Sequence, residues 1–138
     1  LAFCKIEIKA ERVPREKELD MRGNGLTELP KTINTLKRLR MLRLQNNKLE
    51  SLPDEFQDLE RLQRLDLTAN KLTEPPKPLF KVSSLQKLWL CDNALVSLDA
   101  DMKDLVSLEE LYIDNNKIKA LPAQIGELKV QNISKVLQ

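Results

Sequence analysis

The sequence predicts an α/β solenoid: a curved stack of short parallel strands on one face, with short helical or extended segments returning the chain on the other. Three observations predict it. Asn24, Asn47, Asn70, Asn93 and Asn116 recur at a constant spacing of 23 residues. The same apolar frame surrounds each asparagine. A second apolar group, usually opened by Leu-Pro, follows each frame. Self-similarity at a fixed period of about 20–50 residues is the mark of a repeat architecture, in which each unit buries its apolar face only against its neighbours.

The frame is regular. Leu39, Leu42, Leu44, Asn47 and Leu49 return as Leu62, Leu65, Leu67, Asn70 and Leu72, then as Leu85, Leu88, Leu90, Asn93 and Leu95. A further copy reads Leu108, Leu111, Ile113, Asn116 and Ile118. The first copy is Leu19, Met21, Asn24 and Leu26, with Glu16 where a leucine would open it. Five repeats of 23 residues therefore occupy residues 16–130. Residues 1–15 are expected to be an N-terminal cap or a degenerate repeat, and residues 131–138 a tail, a cap or a truncated repeat.

Within the frame, Leu-x-x-Leu-x-Leu alternates around its last two leucines, as a short strand with one buried face requires. Parallel strands need a return segment of about a dozen residues or more. Leu29-Pro30, Leu52-Pro53 and Leu121-Pro122 begin that return. Proline holds φ near about −65° and turns the chain onto the far side. The pairs Ile33/Leu36, Phe56/Leu59 and Ile125/Leu128 sit three residues apart, the spacing of a short helix or 3₁₀ turn buried on one side. The asparagine column supplies amide donors and an acceptor where strand becomes loop and buried backbone groups lose their partners.

Two repeats depart from this pattern. Glu74-Pro75-Pro76-Lys77-Pro78 replaces Leu-Pro in the third and is expected to keep that return extended rather than helical. Leu98-Asp99 replaces it in the fourth, where Asp99 is positioned to cap a short helix through Met102. At the chain start, Cys4, Ile6, Ile8 and Ala10 alternate with Lys5, Glu7 and Lys9, like a covering strand or a worn repeat. Val130, Ile133 and Val136 continue the apolar content at the other end. The first residue is Leu rather than Met, so the chain is expected to be a piece of something longer.

These residues resemble the leucine-rich-repeat family over about residues 16–130. The Leu-Pro half of each unit resembles its intracellular 23-residue subclass, found in Ras-pathway scaffolds, plant Ras-group-related repeat proteins and cell-polarity scaffolds. The resemblance implies a protein partner: a small GTPase, a phosphatase or a scaffold assembly, in that order. Secreted members commonly close their ends with disulfide-bonded cysteine clusters. The two isolated cysteines here, Cys4 and Cys91, read instead as reduced thiols in a cytoplasmic chain.

Composition narrows the function classes. Lys+Arg 23 against Asp+Glu 21 leaves a formal net charge of +2, too balanced for a surface built to neutralise phosphates, so no nucleic acid is expected. No apolar run approaches the roughly 18–20 residues of a membrane span. The absence of any His removes most nucleophile–base pairs and the commonest metal ligand. Gly23-Asn24-Gly25 is a repeat turn and not a phosphate loop, and Cys4 and Cys91 lack ligand spacing. No catalytic residue, metal or cofactor is expected.

Function is expected on the concave face. One outward column reads Asp20, Arg43, Asp66, Trp89 and Tyr112, and another reads Glu18, Met41, Arg64, Lys87 and Glu110. A third reads Arg22, Gln45, Thr68, Cys91 and Asp114. Trp89 and Tyr112, the sole Trp and the sole Tyr, fall on adjacent strands about 5 Å apart. Aromatic and arginine side chains are enriched at interface hot spots. Arg43, Arg64, Lys87, Trp89, Tyr112 and Asp114 are therefore the candidate partner-binding residues, with Arg43 and Arg64 beside the aromatic pair. The bland alternative is a cross-strand pair that only shields its neighbours. For the chain as a whole, a non-catalytic interaction module competes with two other readings. One is a targeting segment of a larger enzyme (kinase, GTPase or ubiquitin ligase); the other is a structural array that oligomerises through its ends.

Overall fold

A computed structural model describes residues 17–127 and the strand residues Asn132–Ile133. The alternating segment around Cys4, Ile6 and Ile8, and Glu16, Leu128, Val130 and Val136, lie outside the described residues. Six strands form one parallel sheet in chain order: β1 Glu18–Asp20, β2 Met41–Arg43, β3 Arg64–Asp66, β4 Lys87–Trp89, β5 Glu110–Tyr112 and β6 Asn132–Ile133. From β1 to β5 every register pair is separated by the repeat length, as in Leu19↔Leu42 and Leu65↔Leu88. The sixth strand pairs Glu110↔Asn132 and Leu111↔Ile133, so the sheet continues into the segment beyond the fifth repeat.

The frame leucines form the core. Leu42, Leu65, Leu88 and Leu111 are completely buried, and so are Leu44, Leu67 and Leu90. Opposite them, 3₁₀ helices return the chain at Lys31–Thr35, Asp54–Asp58, Lys77–Lys81, Ala100–Asp104 and Ala123–Glu127. Each helix of the first four sends one residue of a second column inward: Ile33, Phe56, Leu79 and Met102, all with no exposed surface. The interior is thus a continuous slab of apolar side chains, mostly aliphatic with Phe56 and Phe80 among them, between sheet and returns, each repeat covering the last.

The third repeat corrects one expectation. Its return is not extended: Lys77–Lys81 is a 3₁₀ helix like the others. Pro75 stands where other repeats place Leu, and it is buried. Pro76 takes the place of Pro30 and Pro53, with φ −62 and ψ 127. Pro78 lies in the first turn, where its missing N–H costs nothing. In the fourth repeat Asp99 replaces the proline and caps its helix as expected, its Oδ1 accepting the Asp101 amide at 2.9 Å.

The asparagine column works as a staple between repeats. Asn47 Oδ1 accepts the amides of Asn24 and Leu26 at 3.0 Å, while its Nδ2 donates to the carbonyls of Met21 and Leu44 at 2.9 Å. Asn70, Asn93 and Asn116 repeat the pattern one unit further on. The carbonyls of Leu44, Leu67 and Leu90 each receive two amides, one from their own repeat and one from the next. Asn24 departs from the column. Its side chain is exposed and has no hydrogen-bond partner among the described residues.

A second column lies beside the first. Gly23, Asn46, Ala69, Asp92 and Asn115 all have φ between 54 and 64, the left-handed region. This sharp turn lets each of the first four donate its amide to the next repeat at 3.0 Å: Gly23 to Gln45, Asn46 to Thr68, Ala69 to Cys91 and Asp92 to Asp114. Gly, Asn and Asp tolerate that conformation, and Ala does so only at a cost.

Candidate functional site

The concave face follows from strand alternation. With Leu42, Leu65, Leu88 and Leu111 turned inward, the flanking residues of each strand turn outward. Parallel in-register pairing then converts sequence columns into rows across the sheet. The first row is Asp20↔Arg43↔Asp66↔Trp89↔Tyr112 and the second Glu18↔Met41↔Arg64↔Lys87↔Glu110.

Trp89 and Tyr112 are brought together as the columns predict. Their rings stack with centroids 5.4 Å apart and planes 5° from parallel. The Tyr112 hydroxyl donates to Glu110 Oε2 at 3.0 Å, and Lys87 Nζ lies 3.4 Å from the same carboxylate oxygen. The hydrogen bond to Glu110 raises the Tyr112 pKa, because ionisation would break that bond and place a phenolate beside a carboxylate. Lys87 is thus one partner of a partly exposed ion pair, an interaction of about 0–1 kcal/mol that a binding partner easily rearranges.

The arginines sit differently from the expectation. Arg43 is not beside the aromatic pair, since the strand of Asp66 intervenes; Arg64, on β3, neighbours Lys87 in the next row. Asp20 is held by Arg22 through three side-chain hydrogen bonds of 2.7 to 3.0 Å. That fork lowers the Asp20 pKa. Asp66 Oδ1 accepts the Thr68 amide at 2.9 Å. Among the described residues Arg43 and Arg64 form no ion pair. Asp114 is partly buried at the far side, with its carbonyl accepting the Asp92 amide.

Three features escaped the columns. Met41 lies on the concave face yet is buried to 8 % exposure, so it is not free for a partner. Arg40 precedes β2 and is exposed; its place in a further column, Lys17, Arg40, Gln63, Gln86 and Glu109, was the available signal. Cys91 is partly buried, and burial pushes its thiol pKa up, so its thiolate is scarce at neutral pH. Among the described residues no group of three His, Cys, Asp or Glu side chains is placed to hold a metal, and no helix is long and apolar enough to cross a membrane.

Comparison with known proteins agrees with this geometry. Residues 15–72 match the leucine rich repeat family, and residues 83–128 match its two-copy form. The chain is built of leucine-rich repeats and has their solenoid fold. Among solved structures it is similar to a leucine-rich-repeat protein of Leptospira interrogans: 35% identity, TM-score 0.81, over 84% of this chain and 30% of that one. It is also similar to the leucine-rich repeat domain of the type III effector XopL, with 32% identity and TM-score 0.81 over 91% of this chain and 46% of that one. A third is the plant peptide hormone receptor RGFR1 in complex with RGF2, at 26% identity and TM-score 0.72, over 87% of this chain and 20% of that one. The chain spans less than half the length of each. No curated protein matches it by sequence.

Proposed function

We propose that this array is a non-catalytic protein-interaction module whose concave face, centred on Trp89 and Tyr112, engages a protein partner. One observation carries the reading. The only two large aromatic side chains outside the phenylalanines stack on the concave sheet, although a continuous apolar core already exists elsewhere. Trp, Tyr and Arg are the residue types enriched at interface hot spots, and Trp89 and Tyr112 are both partly exposed. Arg64, Lys87 and Asp114 flank the pair, Arg43 lies one strand further off, and the four would set register and encounter rate more than raw affinity. The peptide hormone receptor of this fold, solved with RGF2, supports a polypeptide ligand.

The Leu-Pro returns favour a cytoplasmic signalling role, with a small GTPase, a phosphatase or a scaffold as partner, in that order. The second reading is a recognition segment of a larger enzyme (kinase, GTPase or ubiquitin ligase). It is favoured by the XopL array, which is one domain of an effector. In either setting these repeats bind, and the charge-bearing side chains at the site serve recognition.

Capture from lysate by the protein, by a Trp89→Ala/Arg64→Ala variant and by a convex-face control, Lys77→Ala/Lys81→Ala, tests the reading. The expected result is that the concave variant alone loses its partners. Equal capture by all three overturns it.

A further inference from the structure

From β2 to β5 the concave face is electrically polarised, while β1 is mixed, with Glu18 and Asp20 beside Lys17 and Arg22. The exposed Arg40 immediately precedes β2, which carries the partly exposed Arg43; the exposed Glu109 immediately precedes β5, which carries Glu110, paired with Lys87, and is followed by Asp114. Between these ends stand Arg64 and the aromatic pair. The carboxylates nearest the arginines are engaged: Asp20 by the Arg22 fork and Asp66 by the Thr68 amide. Arg40, Arg43 and Arg64 have no ion pair among the described residues. Because Tyr112 covers Trp89 from the β5 side, the remaining face of the indole turns towards β3, where its register partner is Asp66 and Arg64 lies in the next row.

We propose that this face binds a polypeptide segment of opposite polarity, lying across the strands. Its carboxylates meet Arg40, Arg43 and Arg64, its basic end meets Glu109 and Asp114, and an apolar side chain between them packs on Trp89. Three strand spacings separate β2 from β5, about 14 Å, which an extended chain covers in roughly four residues. The segment crosses the strands because the charge gradient does. A nucleic acid is disfavoured, since its phosphates would meet the acids of β5. The proposal rests on the concave-face reading and adds the partner's charge order to it.

Trp89 is the only tryptophan, so its emission reports occupancy of this face directly. Three blocked peptides with a central Leu serve as probes: Glu pairs at one end and Lys pairs at the other, Glu pairs at both ends, and Lys pairs at both. An oligothymidylate is the fourth. The polarised peptide is expected to shift Trp89 emission saturably, roughly tenfold more tightly than the others and more weakly as salt rises. Arg40→Glu/Arg64→Glu should move the preference to the all-Lys peptide, and Glu109→Lys/Asp114→Lys to the all-Glu one. These side chains lie outside the core, and circular dichroism verifies the fold of each variant. An unmoved preference, equal binding of any other probe, or no response to the polarised peptide overturns the charge order. If the Trp89→Ala/Arg64→Ala variant still loses its captured partners, only the polarity falls. If that variant loses nothing, the concave-face reading falls with it.

Discussion

The indole of Trp89 lies flat against the phenol of Tyr112, 5.4 Å centre to centre. The contact is a product of register: the two residues are Cα partners on β4 and β5, and parallel pairing sets identical columns side by side at about the strand spacing. Such an aromatic pair contributes about 0.5–1.5 kcal/mol beyond its buried area. Its tether is Glu110, which also holds Lys87, so one carboxylate fixes the posture of the aromatic site.

That tether predicts a titration. Tyr112 is the only tyrosine, and its pKa lies above the ordinary value, first because of the Glu110 hydrogen bond, then burial, then the Glu110 charge. A raised folded-state pKa means that the contribution is fully present below the unfolded value and is lost as pH rises through the folded one. Glu110→Gln should lower the phenolate midpoint, read from near-ultraviolet absorbance. A midpoint that stays put would show that the carboxylate is not the cause.

The staple predicts unequal asparagines. In Asn70→Ala the carbonyls of Leu44 and Leu67 keep their second donors, Asn47 and Asn93, but the buried Leu49 amide is orphaned. A loss of about 2–3 kcal/mol in urea unfolding is expected. Asn24→Ala, at an exposed side chain without a partner among the described residues, should stay within about 0.5 kcal/mol. Equal losses at the two sites would contradict the staple.

Ala69 is the misfit of the left-handed column, at φ 56 where its counterparts are Gly, Asn or Asp. Ala69→Asn should therefore raise stability by about 0.5–1 kcal/mol, as a higher midpoint of thermal unfolding. A lowered midpoint would mean that side-chain contacts, and not backbone strain, decide this position.

At Asp99 two mechanisms substitute for one another. Asp99→Ala removes the cap on the Asp101 amide and should cost about 1 kcal/mol. Asp99→Pro also loses that cap, but the backbone already has φ −79 and ψ 141, close to Pro30 and Pro53, so it should remain within about 0.5 kcal/mol of the parent. Chemical denaturation of both variants checks the pair. A proline variant as unstable as the alanine variant would show that the side-chain bond is indispensable.

The sequence by itself determined the parallel sheet, the aliphatic slab and the role of four of the five asparagines, because each depends on a residue type repeated at one period. It also placed Trp89 on Tyr112, since one period sets equal positions side by side. The third return was misjudged: three prolines read as extended chain, yet Pro75 and Pro76 occupy the Leu and Pro columns, and a proline in the first turn disturbs no hydrogen bond. The left-handed column went unread because Ala69 and Asp92 hide it among residues of ordinary composition. Only the three-dimensional structure shows which charges are engaged, at Asp20 and Asp66 by a partner two residues along the chain. Asp20 turns to Arg22 and Asp66 to a backbone amide, while Arg43 and Arg64 are left without an ion pair among the described residues. Those outcomes depend on distances of a few ångströms between long side chains, and a repeat period carries no information at that scale.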